Sequence, residues 1–323
     1  MKHFSILSAQ MEVPDFVLTN DGLSKMVETS GEWIESRTGI LSRRVSTGEG
    51  TSEMCVKLAE KLVKTAGINP EEIGLIIVAT VTPDYRTPST ACIVQCAINA
   101  KNAFAFDINA ACSGFLYALS ITSHFLDDAK YAIVIGAETL SKMVDWTDRK
   151  TCVLFGDGAG GVLIKAGGEH GIVFEVLRSD GSRWESLAGG YEPVRNPFSP
   201  ELEAPEKFLK MDGREVFDFA IKEVPSCITR LLENARLTLD DIAYIIPHQA
   251  NRRIVEACAK KLGTPLEKFY INIQKYGNTS SASIPICLAE MVSQGLIRLG
   301  GGEKLILVGF GGGLTWGGQI LTV

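Results

Sequence analysis

The sequence predicts an α/β protein built from two similar halves, and three observations indicate this. Apolar, β-branched runs typical of buried strands alternate with segments whose apolar residues recur at helical spacing. An internal repeat relates the first part of the chain to the second. With 323 residues, of which 46% are hydrophobic and 22% charged, the chain is long enough for two core-bearing units.

The repeat has a constant shift of 169 residues. The segment AGINPEEIGLIIVA at 66–79 resembles ARLTLDDIAYIIPH at 235–248, and the same shift carries Cys112 onto Ser281. Both of these residues lie in a small, polar elbow that leads into an apolar helix. The expected halves are residues 1–170 and 171–323, with the Pro-, Gly- and charge-rich stretch 179–210 as an insertion in the second.

The elements of the first half follow from the pattern in chain order. It predicts a polar loop and short helix at 19–36, an amphipathic helix at 52–66 that ends at Gly67, a strand at 75–81, a helix at 89–98, a strand at 103–106, a helix after Cys112 and a buried strand at 131–138. In the second half YAIVIGAE is matched by LILVGFGG at 305–312, and GDGAGGVLI by LTWGGQILTV.

Composition limits the classes of partner and compartment. The net charge of −6 does not favour a nucleic-acid or anionic-membrane surface, although a local basic patch remains open. The first residues lack a signal-peptide pattern and no apolar run reaches bilayer length, so we expect a cytoplasmic protein. Eight cysteines lie mostly in apolar segments, which favours reduced thiols. No histidine cluster accompanies Cys92 and Cys96, so we expect no metal site.

Cys112 is the candidate nucleophile. It lies between a predicted strand and a predicted helix, where free backbone N–H groups and the helix dipole favour an anion. We therefore expect its thiol to lose a proton more easily than usual. A free cysteine is more commonly a small buried hydrophobic residue, so Cys112 alone does not decide the function.

Two polar residues are expected to meet Cys112. His248 follows the strand AYIIP at its carboxyl end, where α/β proteins usually keep their sites. Asn278 lies three residues before Ser281, in the second elbow. Each has a structural alternative, since a histidine can be a buried core residue and Asn often caps a helix. Together with Cys112 they form the pattern of a thiol nucleophile with two polar partners.

One motif is a false lead. Residues 156–161 read G-x-G-x-x-G, but they join the apolar run TCVLF to a second apolar run, whereas a dinucleotide site needs a helix next. We interpret the motif as a β-turn and expect neither a nicotinamide nor a flavin cofactor.

Five motifs in order resemble the β-ketoacyl-acyl carrier protein synthase III family of the thiolase superfamily. They are ACSGF around Cys112, FGDGAG at 155–160, HQAN at 248–251, GNTSSASIP at 277–285 and FGGGLTWG at 310–317. The resemblance covers nearly the whole chain and implies the five-layer α-β-α-β-α thiolase fold and a homodimer. It further implies an initiating condensation of an acyl-CoA primer with malonyl-acyl carrier protein, which releases CoA and CO2.

The resemblance also implies roles for individual residues. Cys112 would store the acyl group as a thioester, and His248 and Asn278 would stabilise the enolate formed when the malonyl group loses CO2. The backbone N–H groups of Cys112 and Gly312 would form the oxyanion hole. Binding residues are also implied: Trp33 and Arg149 around the CoA adenine, Arg37 and Thr38 at the tunnel mouth, and Arg252, Arg253, Lys260 and Lys261 as the docking patch for acidic acyl carrier protein.

The resemblance raises a substrate hypothesis at Thr87. In the family, the residue there resembles a gate that one subunit extends toward its partner's acyl pocket, and it is often Phe. A small Thr leaves room for primers longer than acetyl.

Competing functions remain open at this point. A relative of the same fold could condense or transfer acyl groups in a specialised pathway, with a CoA-linked or small-molecule acceptor. Cys, His and Asn could also belong to a cysteine hydrolase, although the chain has no hydrolase-type Cys motif. A partner subunit without activity is a third alternative, which the presence of all three polar residues disfavours.

Overall fold

The computed structural model describes residues 2–126, 129–199 and 206–323. Within these residues the helices are α1 (Asn20–Leu23), α2 (Gly31–Thr38), α3 (Thr51–Ala66), α4 (Thr90–Ala97), α5 (Gly114–Phe125), α6 (Gly213–Ala235), α7 (Arg252–Leu262), α8 (Ile273–Tyr276) and α9 (Ser283–Ser293). The strands are β1 (Lys2–Glu12), β2 (Val17–Thr19), β3 (Ser42–Arg44), β4 (Ile73–Ala79), β5 (Phe104–Ile108), β6 (Tyr131–Glu138), β7 (Gly158–Ser179), β8 (Leu187–Ala188), β9 (Lys210–Met211), β10 (Tyr244–Pro247), β11 (Lys304–Gly311) and β12 (Thr315–Thr322).

A single hydrogen-bonded sheet connects the two parts of the chain. Its strand order is β10-β11-β12-β7-β6-β4-β5, and β1 pairs with β7. The parallel pair β4–β6 is followed by the antiparallel pair β6–β7, just as the parallel pair β10–β11 is followed by the antiparallel pair β11–β12. The first part of β7 pairs with β6, and the part from Gly171 onward pairs with β12. The expected boundary at 170/171 therefore falls within β7, where its partner changes.

The core is arranged in five layers. Side chains of α5 and α9 pack between the two parts of the sheet, in one core with residues of β4, β6, β11 and β12. The opposite face of the first part is covered by α3 and α4. The opposite face of the second part is covered by α6 and α7. Because alternate strand residues point to opposite faces, fully buried strands such as β6 contribute to two cores at once.

The two predicted elbows have the same local structure. Cys112 lies in a 3₁₀ turn, Ala111–Ser113, that leads into α5, and Ser281 lies in a 3₁₀ turn, Ser280–Ala282, that leads into α9. Ala111 (φ 45°) and Ser280 (φ 49°) occupy equivalent positions, and both have the left-handed backbone that non-glycine residues seldom adopt. Strained backbone of this kind is common where a site must be held rigidly.

Several boundaries differ from the sequence prediction. The strand expected at 75–81 ends at Ala79, because the groups of residues 80–82 bond a buried carboxylate instead of continuing the sheet. The G-x-G-x-x-G segment leads into β7 and not into a helix. The apolar run at 151–155 before it forms turns and no strand.

The expected insertion is only partly described, because residues 200–205 lie outside the described part of the chain. Its described part contains a 3₁₀ helix, Gly181–Ser186, and the small β8–β9 hairpin pairing. Among the helices described, none combines the length and the apolar character that crossing a membrane requires.

Candidate active site

The structure brings the three predicted polar residues together. Cys112, His248 and Asn278 all line one small cavity of about 130 Å³. Cys112 lies in the first elbow, His248 directly follows β10, and Asn278 precedes the second elbow. Their exposed fractions are 7%, 3% and 7%, so bulk water is largely excluded from all three side chains. A polar trio of this kind in an enclosed site suits nucleophilic acyl chemistry.

The thiol of Cys112 is harder to ionise than the sequence indicated. Burial raises its pKa to about 12, the Ser280 hydroxyl in contact with it works in the opposite direction, and the negative charge of Glu138 raises it further. The expectation of easy proton loss is therefore wrong. The physical reason is that the free energy needed to remove a thiolate from water is larger here than the stabilisation that the start of the helix provides.

His248 is held as a neutral ring. Burial lowers its pKa to about 3, because an imidazolium would be separated from water. Its Nδ1 lies 2.7 Å from the hydroxyl of Ser283, in the first turn of α9, and its ring meets Phe310 edge to face at 5.5 Å. The Ser283 contact leaves Nε2 as the other nitrogen of the ring, so a neutral His248 with its proton on Nε2 can act as a donor.

Asn278 is fixed by its own backbone and side chain. Its backbone N–H donates to Leu154 O (2.9 Å), and its backbone oxygen accepts from Gly156 N (3.0 Å). The side-chain Oδ1 accepts from Ser280 N at 2.9 Å. A backbone N–H can only donate, so this bond identifies the oxygen of the amide and leaves the Nδ2 group as the donor.

Glycines of the FGGG motif form one wall of the site. A Cβ on Gly311 would lie 2.5 Å from the backbone nitrogen of Cys112, and one on Gly312 would lie 3.0 Å from Leu187 O. Only glycine permits the first approach. Gly312, the predicted oxyanion residue, lines a larger cavity that it shares with Cys112.

This larger cavity has a volume of about 740 Å³ and shares Cys112, Phe155 and Leu187 with the small one. Its lining includes apolar side chains from Val81, Leu140, Met143, Leu187 and Leu209. Cys112 thus lies where the two cavities meet, and apolar residues predominate in the lining of both. The arrangement fits a nucleophile that receives an acyl chain in the larger cavity and a second group beside His248 and Asn278 in the smaller one.

Sequence reasoning missed Glu138, the last residue of β6. Its carboxylate is fully buried and accepts hydrogen bonds from residues at the ends of both parts of the sheet. Burial raises its pKa, and bonds from Thr82, Ser281 and other donors oppose that shift. The available signal was a single acidic residue at the end of the apolar run YAIVIGAE.

The residues predicted for CoA lie together in part. The guanidinium carbon of Arg149 is 5.7 Å from the centroid of the Trp33 ring, and Trp33 is 40% exposed. The backbone oxygen of Arg37, whose side chain is exposed, accepts from Asn251 Nδ2 at 3.0 Å. The buried hydroxyl of Thr38 is engaged within its own helix end, donating to Ile34 O and accepting from Ile40 N. Thr38 therefore holds the end of α2 in place.

The predicted basic patch lies on α7, and all four of its side chains are exposed. Arg252 pairs with Glu256 at 2.9 Å, and Lys261 donates to Ile221 O at 3.3 Å. The guanidinium of Arg253 lies 5.9 Å from the centroid of Phe217, a residue of the small cavity. The fourth residue, Lys260, lies in the last turn of the helix.

Thr87 is exposed on the surface and is not among the residues that line the larger cavity of its own chain. The structure of one chain therefore leaves its predicted role as a gate for a partner subunit untested.

Comparisons with known proteins show which family this chain is similar to. The family profile "3-oxoacyl-acyl carrier protein synthase III" matches residues 106–181, and its C-terminal counterpart matches residues 232–323. A β-ketoacyl-acyl carrier protein synthase III of Clostridium acetobutylicum is 50% identical over 323 residues, covering 99% of each chain. One from Streptococcus mutans is 51% identical over 325 residues, covering 100% of each. The crystal structure of the 3-oxoacyl-acyl carrier protein synthase III of Aquifex aeolicus VF5 has a TM-score of 0.91 at 43% identity, covering 99% of this chain and 100% of that one.

Proposed function

The chain belongs to the β-ketoacyl-acyl carrier protein synthase III family, thiolase-fold acyltransferases that condense an acyl-CoA with malonyl-acyl carrier protein at the start of fatty acid synthesis, and we propose that Cys112, His248 and Asn278 carry this reaction. The observation that carries the assignment is their convergence in one buried cavity. The thiol is the strongest nucleophile of the three, and the other two offer neutral N–H donors.

In the first half-reaction, the sulfur of Cys112 attacks the thioester carbonyl of the acyl-CoA. The bond between that carbon and the CoA sulfur breaks, and the proton of the Cys112 thiol ends on CoA. Because His248 stays neutral, a resting thiolate–imidazolium pair does not form in this site. The proton therefore leaves Cys112 during the attack and not before it.

In the second half-reaction, the malonyl group loses CO2, and the electrons of the broken C–C bond form an enolate on the thioester. His248 through Nε2–H and Asn278 through Nδ2–H donate hydrogen bonds to the developing oxyanion. These bonds stabilise the charge most strongly in a site that excludes water. The carbanion carbon then attacks the acyl group on Cys112. The C–S bond breaks, and the sulfur takes up a proton to return as a thiol.

The oxyanion of each tetrahedral intermediate is assigned to the backbone N–H groups of Cys112 and Gly312. Supporting this, the glycine wall approaches the Cys112 backbone more closely than any residue with a Cβ could. Covalent storage of the acyl group makes the whole reaction ping-pong.

Intact-protein mass spectrometry with a panel of acyl-CoAs, followed by malonyl-acyl carrier protein, tests this assignment. We expect an acyl adduct that depends on Cys112 and discharges into a β-ketoacyl product. Cys112→Ala should give neither, whereas Cys55→Ala, at another fully buried cysteine, should give both. An adduct that persists until a CoA-linked or small-molecule acceptor is added would favour the specialised-pathway alternative, and release of free acid would favour a hydrolase.

We also propose primers longer than acetyl. Supporting this are the volume of the apolar cavity beside Cys112 and the small side chain at Thr87. Acylation across a chain-length series should favour medium chains, and Thr87→Phe should shift the preference toward acetyl. Strict preference for acetyl-CoA in the unmodified enzyme would contradict the idea.

The binding residues complete the proposal. Trp33 and Arg149 would hold the CoA adenine, with Arg37 and Thr38 at the mouth of the passage. Acyl carrier protein would dock on α7, and the contact of Arg253 with Phe217, a cavity residue, supports a path from that surface to Cys112.

A homodimer and a cytoplasmic location are part of the same proposal. Strand β5 lies at the end of the sheet order, and exposed Phe104 packs at 5.5 Å against exposed Phe125. An apolar sheet edge of this kind is suited to pairing with a second copy. All eight cysteines are free, in keeping with a reducing compartment. Light scattering should give twice the chain mass, and Phe104→Glu should reduce it.

A further inference from the structure

The carboxylate of Glu138 is bonded to the second elbow and has no part in the reaction as described above. Five groups donate to it. Its Oε2 accepts from the backbone N–H of Val81 (3.1 Å) and the hydroxyls of Thr80 (3.3 Å) and Thr82 (2.6 Å). Its Oε1 accepts from the hydroxyls of Ser280 (3.2 Å) and Ser281 (2.8 Å). An ionised carboxylate only accepts, so a hydroxyl bonded to it must donate, and the single proton of Ser281 is shared with the backbone oxygen of Ala79 at 2.9 Å.

Ser280 is the member of this set that also contacts the thiol of Cys112. A serine hydroxyl has one proton to donate. That proton can be directed at the Glu138 carboxylate or at the Cys112 sulfur, but not at both. A thiol needs no donor, whereas a buried thiolate gains from one.

We propose that Glu138 is a positioning residue for Cys112: by competing for the single hydroxyl proton of Ser280, it keeps the nucleophile in the thiol form until substrate arrives. When the sulfur becomes negative during attack, the Ser280 hydroxyl turns toward it. Glu138 meanwhile keeps its bonds from Val81, Thr82 and Ser281. The inference rests on the proposed role of Cys112 as the nucleophile.

Few titratable or charged groups lie near Cys112, so the effect of Glu138 on it can be tested by itself. Among the described residues, the titratable groups that face Cys112 are Glu138 from β6 and neutral His248 beyond β10. Strand β12 has no charged residue, and the one charged residue of β11, Lys304, lies at the strand's far end. Burial raises the pKa of Cys55 in α3, and the charges of Asp107, Asp84 and Glu138 raise it further.

Glu138→Gln is the decisive variant, because the structure fixes how the amide must lie. The obligate N–H donor of Val81 requires the amide oxygen at the Oε2 position, which places the NH2 group against Ser280 and Ser281. The Ser280 hydroxyl then accepts from the NH2 group of the introduced amide and is free to donate to sulfur. A fall of one pKa unit at Cys112 raises the thiolate fraction tenfold and the alkylation rate about three- to fivefold, since a weaker base is a poorer nucleophile.

The measurement is the rate of iodoacetamide alkylation between pH 7 and 9, read by mass spectrometry on the peptide that contains Cys112. Glu138→Gln should react about three- to fivefold faster than the unmodified protein at each pH, in line with the thiolate argument. Most of the gain should be lost in a Ser280→Ala background, and the small remainder comes from removal of the Glu138 charge. An unchanged rate, or a gain that persists in full without Ser280, overturns the proposal.

Ser281→Ala provides an independent variant that keeps the charge of Glu138. Loss of this donor makes Glu138 hold the Ser280 proton more strongly, so alkylation should become slower, opposite in sign to Glu138→Gln. A faster rate would contradict the competition. Glu290→Gln is the matched control, since Glu290 is also a buried, hydrogen-bonded carboxylate but does not line the cavities at Cys112, and its rate should equal that of the unmodified protein.

The two levels of the proposal fail in different ways. If Cys112→Ala still condenses acyl-CoA with malonyl-acyl carrier protein, the nucleophile is wrong. If Cys112 carries the acyl group but Glu138→Gln leaves its alkylation unchanged, only the role of Glu138 is wrong.

Discussion

Replacing His248 with Gln should make the protein less sensitive to mild acid. Burial lowers the pKa of His248 from 6.5 to about 3, so below pH 6.5 the unfolded chain binds a proton that the native state does not. Folding stability is therefore lost as the pH falls from about 6.5 toward 3. The full shift corresponds to about 5 kcal/mol, and at pH 5 about 2 kcal/mol of it is already lost.

Urea unfolding at pH 7 and pH 5, at one fixed protein concentration, measures this effect. The decrease in unfolding free energy between the two pH values should be about 2 kcal/mol smaller in His248→Gln than in the unmodified protein. His3→Gln, at an exposed position, should behave like the unmodified protein. If His248→Gln loses as much stability as the unmodified protein, the ring titrates equally in both states and is not held neutral by burial.

Three further outcomes follow from the geometry. Gly311→Ala should slow acylation by about 10²-fold or more, because its Cβ would lie 2.5 Å from the backbone nitrogen of Cys112 and displace the nucleophile; a near-normal single-turnover rate would contradict this. Trp33→Ala should raise KM for acyl-CoA and leave kcat nearly unchanged, as expected for uniform binding; a loss confined to kcat would refute an adenine contact. Arg253→Glu should raise KM for malonyl-acyl carrier protein but not for malonyl-CoA, whereas Lys64→Glu, on the exposed face of α3, should change neither; equal effects on both substrates would argue against docking on α7.

Much of the fold was accessible from the sequence because it depends on local patterns. The alternation of strand and helix and the elbow before α5 follow from periodicity and from small residues around Cys112. The constant shift of the repeat located the second elbow at Ser281. Each of these patterns involves only short segments of the sequence, so it can be recognised without knowledge of the tertiary structure.

The electrostatic state of the site was not accessible in this way. The helix start near Cys112 indicated an acidic thiol, but the degree of burial that reverses the shift comes from chain segments as distant as His248 and Gly311. The contacts of Glu138 have the same origin, since Ser281 is 143 positions away along the chain. The resemblance likewise placed Thr38 at the tunnel mouth, whereas its hydroxyl is used within its own helix end.

The repeat also relates two similar elbows, of which only the first carries a thiol. Asn109 and Asn278 are equivalent, and each accepts from the backbone N–H two residues on, Ala111 at 3.3 Å and Ser280 at 2.9 Å. The shift that relates Cys112 to Ser281 also relates His248 to Ala79. In each of these two pairs, the equivalent positions carry side chains of different chemistry: a thiol against a hydroxyl, and an imidazole against a methyl group.

In the second elbow, the single hydroxyl proton of Ser281 is shared between the backbone oxygen of Ala79 at 2.9 Å and Glu138 at 2.8 Å, so its side chain is used in joining the two halves of the chain. In the first elbow, the equivalent side chain is the thiol of Cys112, which faces the cavity that it shares with His248. The duplicated backbone thus supplies two rigid supports. Under the proposed function, the residues at these equivalent positions make the first elbow the reactive centre and the second elbow the structure that holds it in place.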